Sequence, residues 1–279
     1  MADFFSAHDG TKLAYHTVGE GRPIVCLPGG MQASAYLGDL GGLSAHRQLV
    51  MLDLRGTGQS PIPEDAAAYR CDRLVDDVEA LREHLGLDRV DLLGHSGGAN
   101  LALLYAARHP ERVGKLALIT PSVFAVGIEI AGDDRLAAAK VHQDEPWFAP
   151  AYAALESVVG GNVTADALQA MSPLQYGRWD EVTQAHKAAE DEQRNYEAAA
   201  AYAADGAFDP DATRTALARF ETPVLLLAGE ADLAAPPRAM AELARLFTNA
   251  DLVIQPGAAH FPWLYDADRF VEATAAYLS

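Results

Sequence analysis

The residues best suited to nucleophilic chemistry surround a serine in the stretch Gly94-His95-Ser96-Gly97-Gly98. This stretch follows an apolar run and precedes a helix-like run over 99–108. A serine between glycines at a strand-to-helix turn is a nucleophile elbow, a tight bend that lifts the hydroxyl above the sheet and requires small neighbours. Ser96 is therefore the candidate nucleophile.

A serine hydroxyl is a poor nucleophile at neutral pH, so it needs a base that takes its proton and a third group that orients the base. His260 is the best candidate base, because it lies in a loop-like segment after the last apolar run and before the final helix-like run. Asp232 follows an apolar run over 224–228 and is the candidate orienting group. His95, beside the nucleophile, is expected to be a packing residue rather than a second base.

The elements that must position these residues are short apolar runs of the kind that form buried parallel strands. Such runs are bounded by glycine or proline and separated by helical patterns, and they cover 24–27, 49–54, 90–93, 116–119, 224–228 and 252–254. Two further strand-like pieces, 3–7 and 12–18, flank an Asp-Gly pair that is typical of a hairpin turn. The sequence therefore predicts a sheet of eight strands, most of them parallel.

Helical patterns alternate with these runs, over 71–85, 99–108, 237–247 and 266–278. This alternation predicts an α/β fold whose sheet is flanked by helices. It stops between 122 and 220, where Ala-rich helical patterns continue without a clear strand, over a length too great for an ordinary loop. We therefore predict a core domain over 1–121 and 221–279 and an inserted helical cap over 122–220.

The chain from Thr11 onwards resembles the α/β-hydrolase superfamily, and this resemblance implies the α/β-hydrolase fold. The order Ser, Asp, His along the chain is the order of that superfamily's catalytic triad. The segment 53–60 reads Asp-Leu-Arg-Gly-Thr-Gly-Gln-Ser and matches the superfamily's D-x-R-G-x-G-x-S loop. Because that loop is chiefly structural in the superfamily, Asp53 and Arg55 are expected to support the scaffold.

A glycine loop completes the resemblance. Leu27-Pro28-Gly29-Gly30-Met31 matches the loop that usually reads H-G-x-P in the superfamily. By that match, the backbone N–H groups of Gly30 and Gly97 are expected to form the oxyanion hole. Met31 takes the place of Gly30 if the register differs by one residue.

Proline iminopeptidases, within the same superfamily, carry a P-G-G-P-G loop, and the segment 27–55 is similar to theirs. The chain departs from them at Met31, where their second proline stands, and at Gly97, where a Trp usually follows their serine. Those enzymes hold the substrate's amine with cap carboxylates, and the sequence matches no particular cap residue to that role. The acidic cap residues are more typical of a solvated helix face: Glu190, Asp191, Glu192 and Glu197.

Composition excludes several classes of partner. The chain of 279 residues has a formal net charge of −18 and no cluster of Lys and Arg, so no nucleic acid is expected. Acidic substrates are not expected either, except at a locally basic site. The N-terminus lacks a secretion pattern and no apolar stretch is long enough to cross a bilayer, so we expect a cytoplasmic protein without membrane contact.

No metal and no cofactor are expected. The histidines are scattered, and neither a paired-cysteine spacing nor a complete dinucleotide fingerprint occurs. The two cysteines, Cys26 and Cys71, do not make a disulfide framework. The expected partner is a small-molecule substrate, and the oligomeric state stays open.

These observations predict a cofactor-independent serine hydrolase that cleaves an ester, lactone, thioester or amide of a small, fairly apolar substrate through an acyl-enzyme. Two alternatives remain open. One is an aminopeptidase that resembles the proline iminopeptidases, and the other is a non-hydrolytic member that keeps the fold for ligand binding. The substrate depends on how the cap folds over Ser96.

Overall fold

A single sheet organises the structure, a computed structural model that describes residues 2–279 and, at Asp191, the backbone alone. Met1, at the start of the predicted core domain, and the side chain of Asp191, one of the acidic cap groups, lie outside the described residues. The strands are β1 (Asp3–Ser6), β2 (Lys12–Val18), β3 (Pro23–Leu27), β4 (Gln48–Leu52), β5 (Val90–His95), β6 (Val113–Ile119), β7 (Val224–Gly229) and β8 (Ala250–Gln255).

The strand order across the sheet is β1-β2-β4-β3-β5-β6-β7-β8. β1 and β2 pair antiparallel with each other, and β2 pairs antiparallel with β4. All remaining pairs are parallel. The prediction of an eight-stranded, mostly parallel sheet is confirmed. Every residue of β5 and β7 is buried, which explains the apolar character of β7. β5 also contains a buried charge, Asp91, which pairs with Arg47 at 2.6 Å.

Helices cover both faces of the sheet. They are α1 (Cys71–His84), α2 (Gly97–Arg108), α3 (Gly132–Ala139), α4 (Phe148–Val159), α5 (Ala165–Ala170), α6 (Ser172–Tyr176), α7 (Glu181–Gln193), α8 (Tyr196–Tyr202), α9 (Pro210–Leu217), α10 (Pro237–Ala244), α11 (Pro262–Tyr265) and α12 (Ala267–Leu278). Because side chains alternate along a strand, each face has its own core. Leu92 belongs to the core on one face, which also includes residues of α1, α2 and α10, and Leu93 belongs to the core on the other face, which includes residues of α12.

The strand order reverses direction between β3 and β5. From β3 the chain continues to β4 on one side, whereas β5 lies on the other side of β3 and leads on to β6. In open α/β sheets such a reversal opens a crevice beyond the carboxyl ends of the two strands. Gly29 and Gly30 follow β3 and Ser96 follows β5, so the candidate nucleophile and the glycine loop lie at this crevice.

The segment 122–220, which we call the cap, joins β6 to β7 and contains α3 to α9. Its backbone is described throughout. An isolated β-bridge joins Arg194 of the cap to Gln32, the residue after the glycine loop. The bounds of the cap at 122 and 220 stay a prediction.

Candidate active site

The turn at Ser96 has strained backbone geometry. Its φ of 51° and ψ of −120° are unusual for a residue with a side chain, and such a conformation costs about 1–3 kcal/mol. Hydrogen bonds hold it in place: Ser96 N donates to the Ile119 carbonyl (3.1 Å), and the Ser96 carbonyl accepts from Ala99 N and Ser122 N, each at 3.0 Å. The serine therefore stands at the end of β5, directly before α2.

Glycines around Ser96 are required by close packing. A Cβ on Gly98 would lie 2.1 Å from the Leu27 carbonyl oxygen, and a Cβ on Gly29 would lie 2.7 Å from the Ser96 Cβ. Contacts this short do not occur between real atoms, so any larger residue would push β3's loop away from the elbow. The Gly-x-Ser-x-Gly pattern and the Pro-Gly-Gly pattern are thus both required by the close contact between the turn at Ser96 and the loop after β3.

Ser96, His260 and Asp232 come together although they lie far apart in the sequence. The Ser96 hydroxyl lies 2.9 Å from His260 Nε2, and His260 Nδ1 lies 2.9 Å from Asp232 Oδ2. A carboxylate can only accept, so Nδ1 carries the proton and Nε2 is free to accept from the serine hydroxyl. Asp232 is 1% exposed, and its other oxygen accepts from Ala234 N at 2.8 Å.

The pKa of His260 reflects two opposing effects. Burial lowers the pKa of the imidazole, but the negative charge of Asp232 and the hydrogen bond to it outweigh burial, so the pKa is raised above 6.5. The backbone of His260 is fixed from both sides. Its N–H donates to the Gln175 carbonyl of the cap (2.9 Å), and its carbonyl accepts from Thr120 Oγ1 (3.0 Å) in the core. This arrangement suits a general base.

Two backbone amides close to Ser96 have no acceptor among residues 2–279: Gly30 N–H and Gly97 N–H. A Cβ on Gly97 would lie 3.2 Å from Gly30 N, so the two amides are close neighbours. Gly30 reaches this position with a φ of 63°, and Met31 follows with a φ of 50°. Open amides at a helix N-terminus can bind an oxyanion.

His95 does more than the packing role expected from the sequence. It is buried at the end of β5; its Nδ1 lies 2.7 Å from the Tyr36 hydroxyl and its Nε2 lies 3.0 Å from the His260 carbonyl. Tyr36 also accepts from Gly29 N at 2.8 Å. The bonds run from the glycine loop through Tyr36 and His95 to the backbone of His260. Burial, with a contribution from the nearby His260, holds the pKa of His95 well below 6.5, so the ring is neutral and its tautomer is set by these bonds.

Two cavities reach Ser96. The larger, of about 790 Å³, also touches His260, and its walls include Phe124, Phe208 and Arg135. The smaller, of about 180 Å³, is lined by both candidate oxyanion residues, Gly30 and Gly97, together with Tyr202 of the cap. Ser96 lines both cavities, so a bound molecule could reach it from either one.

Of the acidic cap residues singled out by the sequence, the three with described side chains, Glu190, Glu192 and Glu197, do not line these cavities. Glu190 binds Lys187 and also accepts from Arg194 Nη1 (3.0 Å), so its charge is compensated within the cap. Instead the larger cavity is lined by the carboxylate residue Glu129, which is exposed and lies in an irregular segment before α3. Its position depends on tertiary contacts, and no local pattern distinguishes it in the sequence.

The loop over 53–60 supports the scaffold from outside the cavities. Asp53 Oδ1 accepts from the Ser34 backbone N–H (2.9 Å) and hydroxyl (2.7 Å). Arg55 makes a paired contact with Asp77, at 2.7 Å and 2.6 Å. Both side chains stabilise the loops that follow β3 and β4.

Among the described side chains, no group of three or more from His, Cys, Asp and Glu is arranged to hold a metal ion. Among the described helices, none has the length and apolar character needed to cross a membrane.

Comparisons with known proteins agree with the fold. A proline iminopeptidase of Heyndrickxia coagulans is 36% identical over 108 residues, which are 38% of this chain and 38% of that protein. A cis-3-alkyl-4-alkyloxetan-2-one decarboxylase of Shewanella oneidensis is 32% identical over 123 residues, 43% of this chain and 39% of that protein. The matched parts thus span less than half the length of either relative.

The solved structure of an esterase from Exiguobacterium antarcticum superposes on this one with a TM-score of 0.76. It is 20% identical, and the superposition covers 100% of this chain and 99% of the esterase, so the likeness is one of fold. A sequence profile of the family described as alpha/beta hydrolase fold matches residues 22–267. Since this match covers most of the chain, the protein belongs to the alpha/beta hydrolase fold family.

Proposed function

We propose that this protein is a cofactor-independent serine hydrolase that cleaves an ester, lactone, thioester or amide bond of a small, fairly apolar substrate. The observation that carries the proposal is the continuous arrangement of Ser96, His260 and Asp232, with both joining distances at 2.9 Å. Hydrogen-bond contact between nucleophile and base, and between base and orienting group, is the geometric requirement for this chemistry.

The reaction begins when Ser96 Oγ attacks the substrate's carbonyl carbon while His260 Nε2 takes the hydroxyl proton. The carbonyl oxygen gains negative charge and accepts hydrogen bonds from Gly30 N–H and Gly97 N–H. The tetrahedral intermediate collapses, the bond to the leaving group breaks, and His260 returns its proton to that group. A water molecule then attacks the acyl-enzyme with His260 again as base, which releases the acid and restores the Ser96 hydroxyl.

Asp232 stabilises the histidine in its charged form during both steps. Its carboxylate is buried and close to His260 Nδ1, so it holds the tautomer in which Nε2 faces the serine. The same charge raises the pKa of His260, which strengthens it as a base.

A fluorophosphonate tests the proposal, because it labels an activated serine and spares ordinary hydroxyl groups. Intact-mass measurement and peptide mapping should find one adduct, on Ser96, and none in the His260→Ala variant. Ser122 is the internal control, because it lines the same cavities and its hydroxyl has no hydrogen-bond partner in the described part of the chain. Absence of an adduct in the wild-type protein would favour the non-hydrolytic, ligand-binding alternative.

A second candidate is an aminopeptidase resembling the proline iminopeptidases. It is favoured by Glu129, which lines the cavity with Ser96 and whose carboxylate has no cation within 4.0 Å among the described residues. A negative group there could hold a protonated amine. Release of 4-nitroaniline from prolyl and other aminoacyl 4-nitroanilides, lost when the amine is acetylated and weakened by Glu129→Gln, would support this reading. Turnover of simple esters without such amides would reject it.

A further inference from the structure

A cation lines the larger cavity beside the candidate catalytic residues. Arg135 belongs to α3, the first helix of the cap, and shares the cavity wall with Ser96 and His260. Its Nη1 donates to the Leu233 carbonyl at 2.6 Å, in the loop that also carries Asp232. This bond fixes one corner of the guanidinium against the core.

The other donors of Arg135 are open. A guanidinium carries five N–H donors, and within residues 2–279 the Leu233 carbonyl is the acceptor found for this one. No carboxylate of the described residues lies within 4.0 Å of it. Two nearby arginines differ: Arg194 pairs with Glu190 at 3.0 Å and Arg238 pairs with Asp134 at 3.2 Å. Arg135 is thus a charged group with unused donors beside the site.

The remaining wall of the cavity is largely apolar. It includes Val123, Phe124, Ile128, Ile130, Ala203 and Phe208. Apolar walls exclude water and lower the effective dielectric constant, so a charge pair inside the cavity is stronger than the same pair on the surface. A planar guanidinium matches the geometry of a carboxylate, which it can bind through two parallel hydrogen bonds.

We propose that Arg135 binds a carboxylate at the far end of the substrate part that occupies the larger cavity. The substrates would then be esters of apolar chains that end in a carboxylate, such as half-esters of dicarboxylic acids. This inference rests on the proposed hydrolase function and specifies its substrate class. It also agrees with the composition. A chain with a net charge of −18 needs a locally basic site to hold an anion, and Arg135 would supply that positive charge.

Glu129 carries the opposite charge to Arg135 and lines the same cavity. Its negative charge is expected to repel an anion there. Glu129→Gln is therefore expected to favour carboxylate substrates, whereas Arg135→Gln is expected to disfavour them. Two variants of opposite charge change in one cavity should shift selectivity in opposite directions.

The test compares pairs of esters that differ by one terminal carboxylate. One series consists of 4-nitrophenyl half-esters of C6 to C10 dicarboxylic acids, each with the 4-nitrophenyl alkanoate of equal length, which places the carboxylate on the acyl side. The other pair is the hexanoate of 4-hydroxybenzoate and the hexanoate of phenol, which places it on the alcohol side. The measured quantity is the ratio of kcat/KM for the charged and the neutral ester.

In at least one of the two arrangements, Arg135→Gln should lower this ratio by roughly 10- to 100-fold, the range expected when a charge-assisted hydrogen bond is lost. The ratio for Arg135→Lys should lie between the ratios for the wild type and for Arg135→Gln. Arg238→Gln is the matched control, since it removes the same charge from an exposed position, and it should leave the ratio within about twofold of wild type. A ratio unaffected by Arg135→Gln in both arrangements would overturn the inference.

The hydrolase function can fail while the anion site at Arg135 is correct, and binding measurements distinguish these two cases. If no ester is cleaved, binding of adipate and of the neutral hexanamide can still be measured by calorimetry in wild type and in Arg135→Gln. Weaker adipate binding in the variant, with hexanamide binding equal in both, would support the anion site alone. Equal adipate binding in the two proteins would reject it.

Discussion

The two sides of the site at Ser96 are packed with different types of side chain. On the core side, β5 and β7 are buried at every position and pack mainly through Leu and Val side chains. On the cap side, half of the buried cluster is alanine: Ala138, Ala139, Ala151 and Ala154 pack with Leu155, Met171, Leu174 and Leu233. Each additional buried CH₂ group contributes about 0.8 kcal/mol, so alanine packing stabilises the cap less than leucine packing stabilises the core.

This difference separates two tasks. The side chains proposed to carry the chemistry stand on the ends of core strands, whereas Arg135 and Glu129, proposed to select the substrate, belong to the cap. The cap also contacts the site through its backbone. His260 N donates to the Gln175 carbonyl, and Ala33 N, just after the glycine loop, donates to the Gln193 carbonyl. Changes in the core should therefore affect turnover of all substrates, and changes in the cap should affect choice of substrate and stability.

The largest effect should come from removing the nucleophile in the core. Ser96→Ala is expected to lower kcat by roughly 10⁴-fold or more for every substrate accepted by the wild type, because no acyl-enzyme can form. Steady-state kinetics on an ester panel measures it, and circular dichroism controls for the fold. Retention of activity in this variant would break the assignment of chemistry to the core side.

Asp232→Asn should be nearly as damaging. The amide can donate to His260 Nδ1 and thereby favour the wrong tautomer, and the expected loss in kcat is about 10⁴-fold. Because the side chain has the same shape, the melting temperature should change little in comparison. Asp134→Asn, in the cap, is the matched control and should leave kcat within about twofold, since its partner Arg238 is exposed.

The pH dependence should report the same core arrangement. His260 must be neutral to accept a proton, so kcat/KM falls, by about tenfold per pH unit, as the pH drops below the pKa of His260. Because Asp232 raises that pKa, the midpoint of the acid limb is expected above 6.5. Residual activity of Asp232→Asn should have its midpoint at lower pH. A wild-type midpoint below 6.5 would show that the charge of Asp232 does not reach His260.

Tyr36→Phe tests whether Tyr36 belongs to the residues that position the core side of the site. Loss of the hydroxyl leaves Gly29 N–H and His95 Nδ1 without a buried partner, which costs about 1–3 kcal/mol for each group. If Tyr36 positions the site, kcat should fall by roughly tenfold while KM changes little. Tyr15→Phe is the control, since its hydroxyl contacts His84, a residue that does not line the cavities at Ser96. Equal effects of both variants on kcat would reduce Tyr36 to a structural role.

The smallest effect should arise where the cap joins the core. Asn195 caps α8 through Ala198 N (3.0 Å) and donates to the Gly56 carbonyl (2.9 Å). Asn195→Ala should lower the free energy of unfolding by about 2 kcal/mol, with a fall of a few degrees in Tm. Asn162→Ala, in an exposed cap loop, should change Tm by less. An unchanged Tm in Asn195→Ala would contradict a stabilising role for these two hydrogen bonds of Asn195.

The elements of the core were predictable because their signals are local. The predicted run over 224–228 corresponds to Val224–Gly229, and the helical pattern over 266–278 to Ala267–Leu278. The pattern over 237–247 is longer than the helix, which ends at Ala244. Helix ends depend on a few hydrogen bonds and are harder to predict than the body of an element.

The role of single cap residues was not predictable. The sequence drew attention to Glu190, but the structure pairs it with Lys187 and Arg194 and brings Glu129 and Arg135 to the cavity instead. His95 was expected to pack, and its bonds to Tyr36 and to the His260 carbonyl join residues that lie 59 and 165 positions away. No short pattern carries such information, since the partners meet only when the chain is folded.

By itself, the amino-acid sequence determined which segments form the sheet, where the turn at Ser96 lies, and which histidine and aspartate follow the later strands. These features depend on periodicity and on glycines, which act within a few residues. The tertiary structure alone decided the distances between Ser96, His260 and Asp232, the two cavities, and the charged groups in them. The distances arise from the order of the strands in the sheet, and the cavities with their charged groups arise from how the cap packs on the ends of those strands. Both kinds of packing join residues that have no relation along the chain.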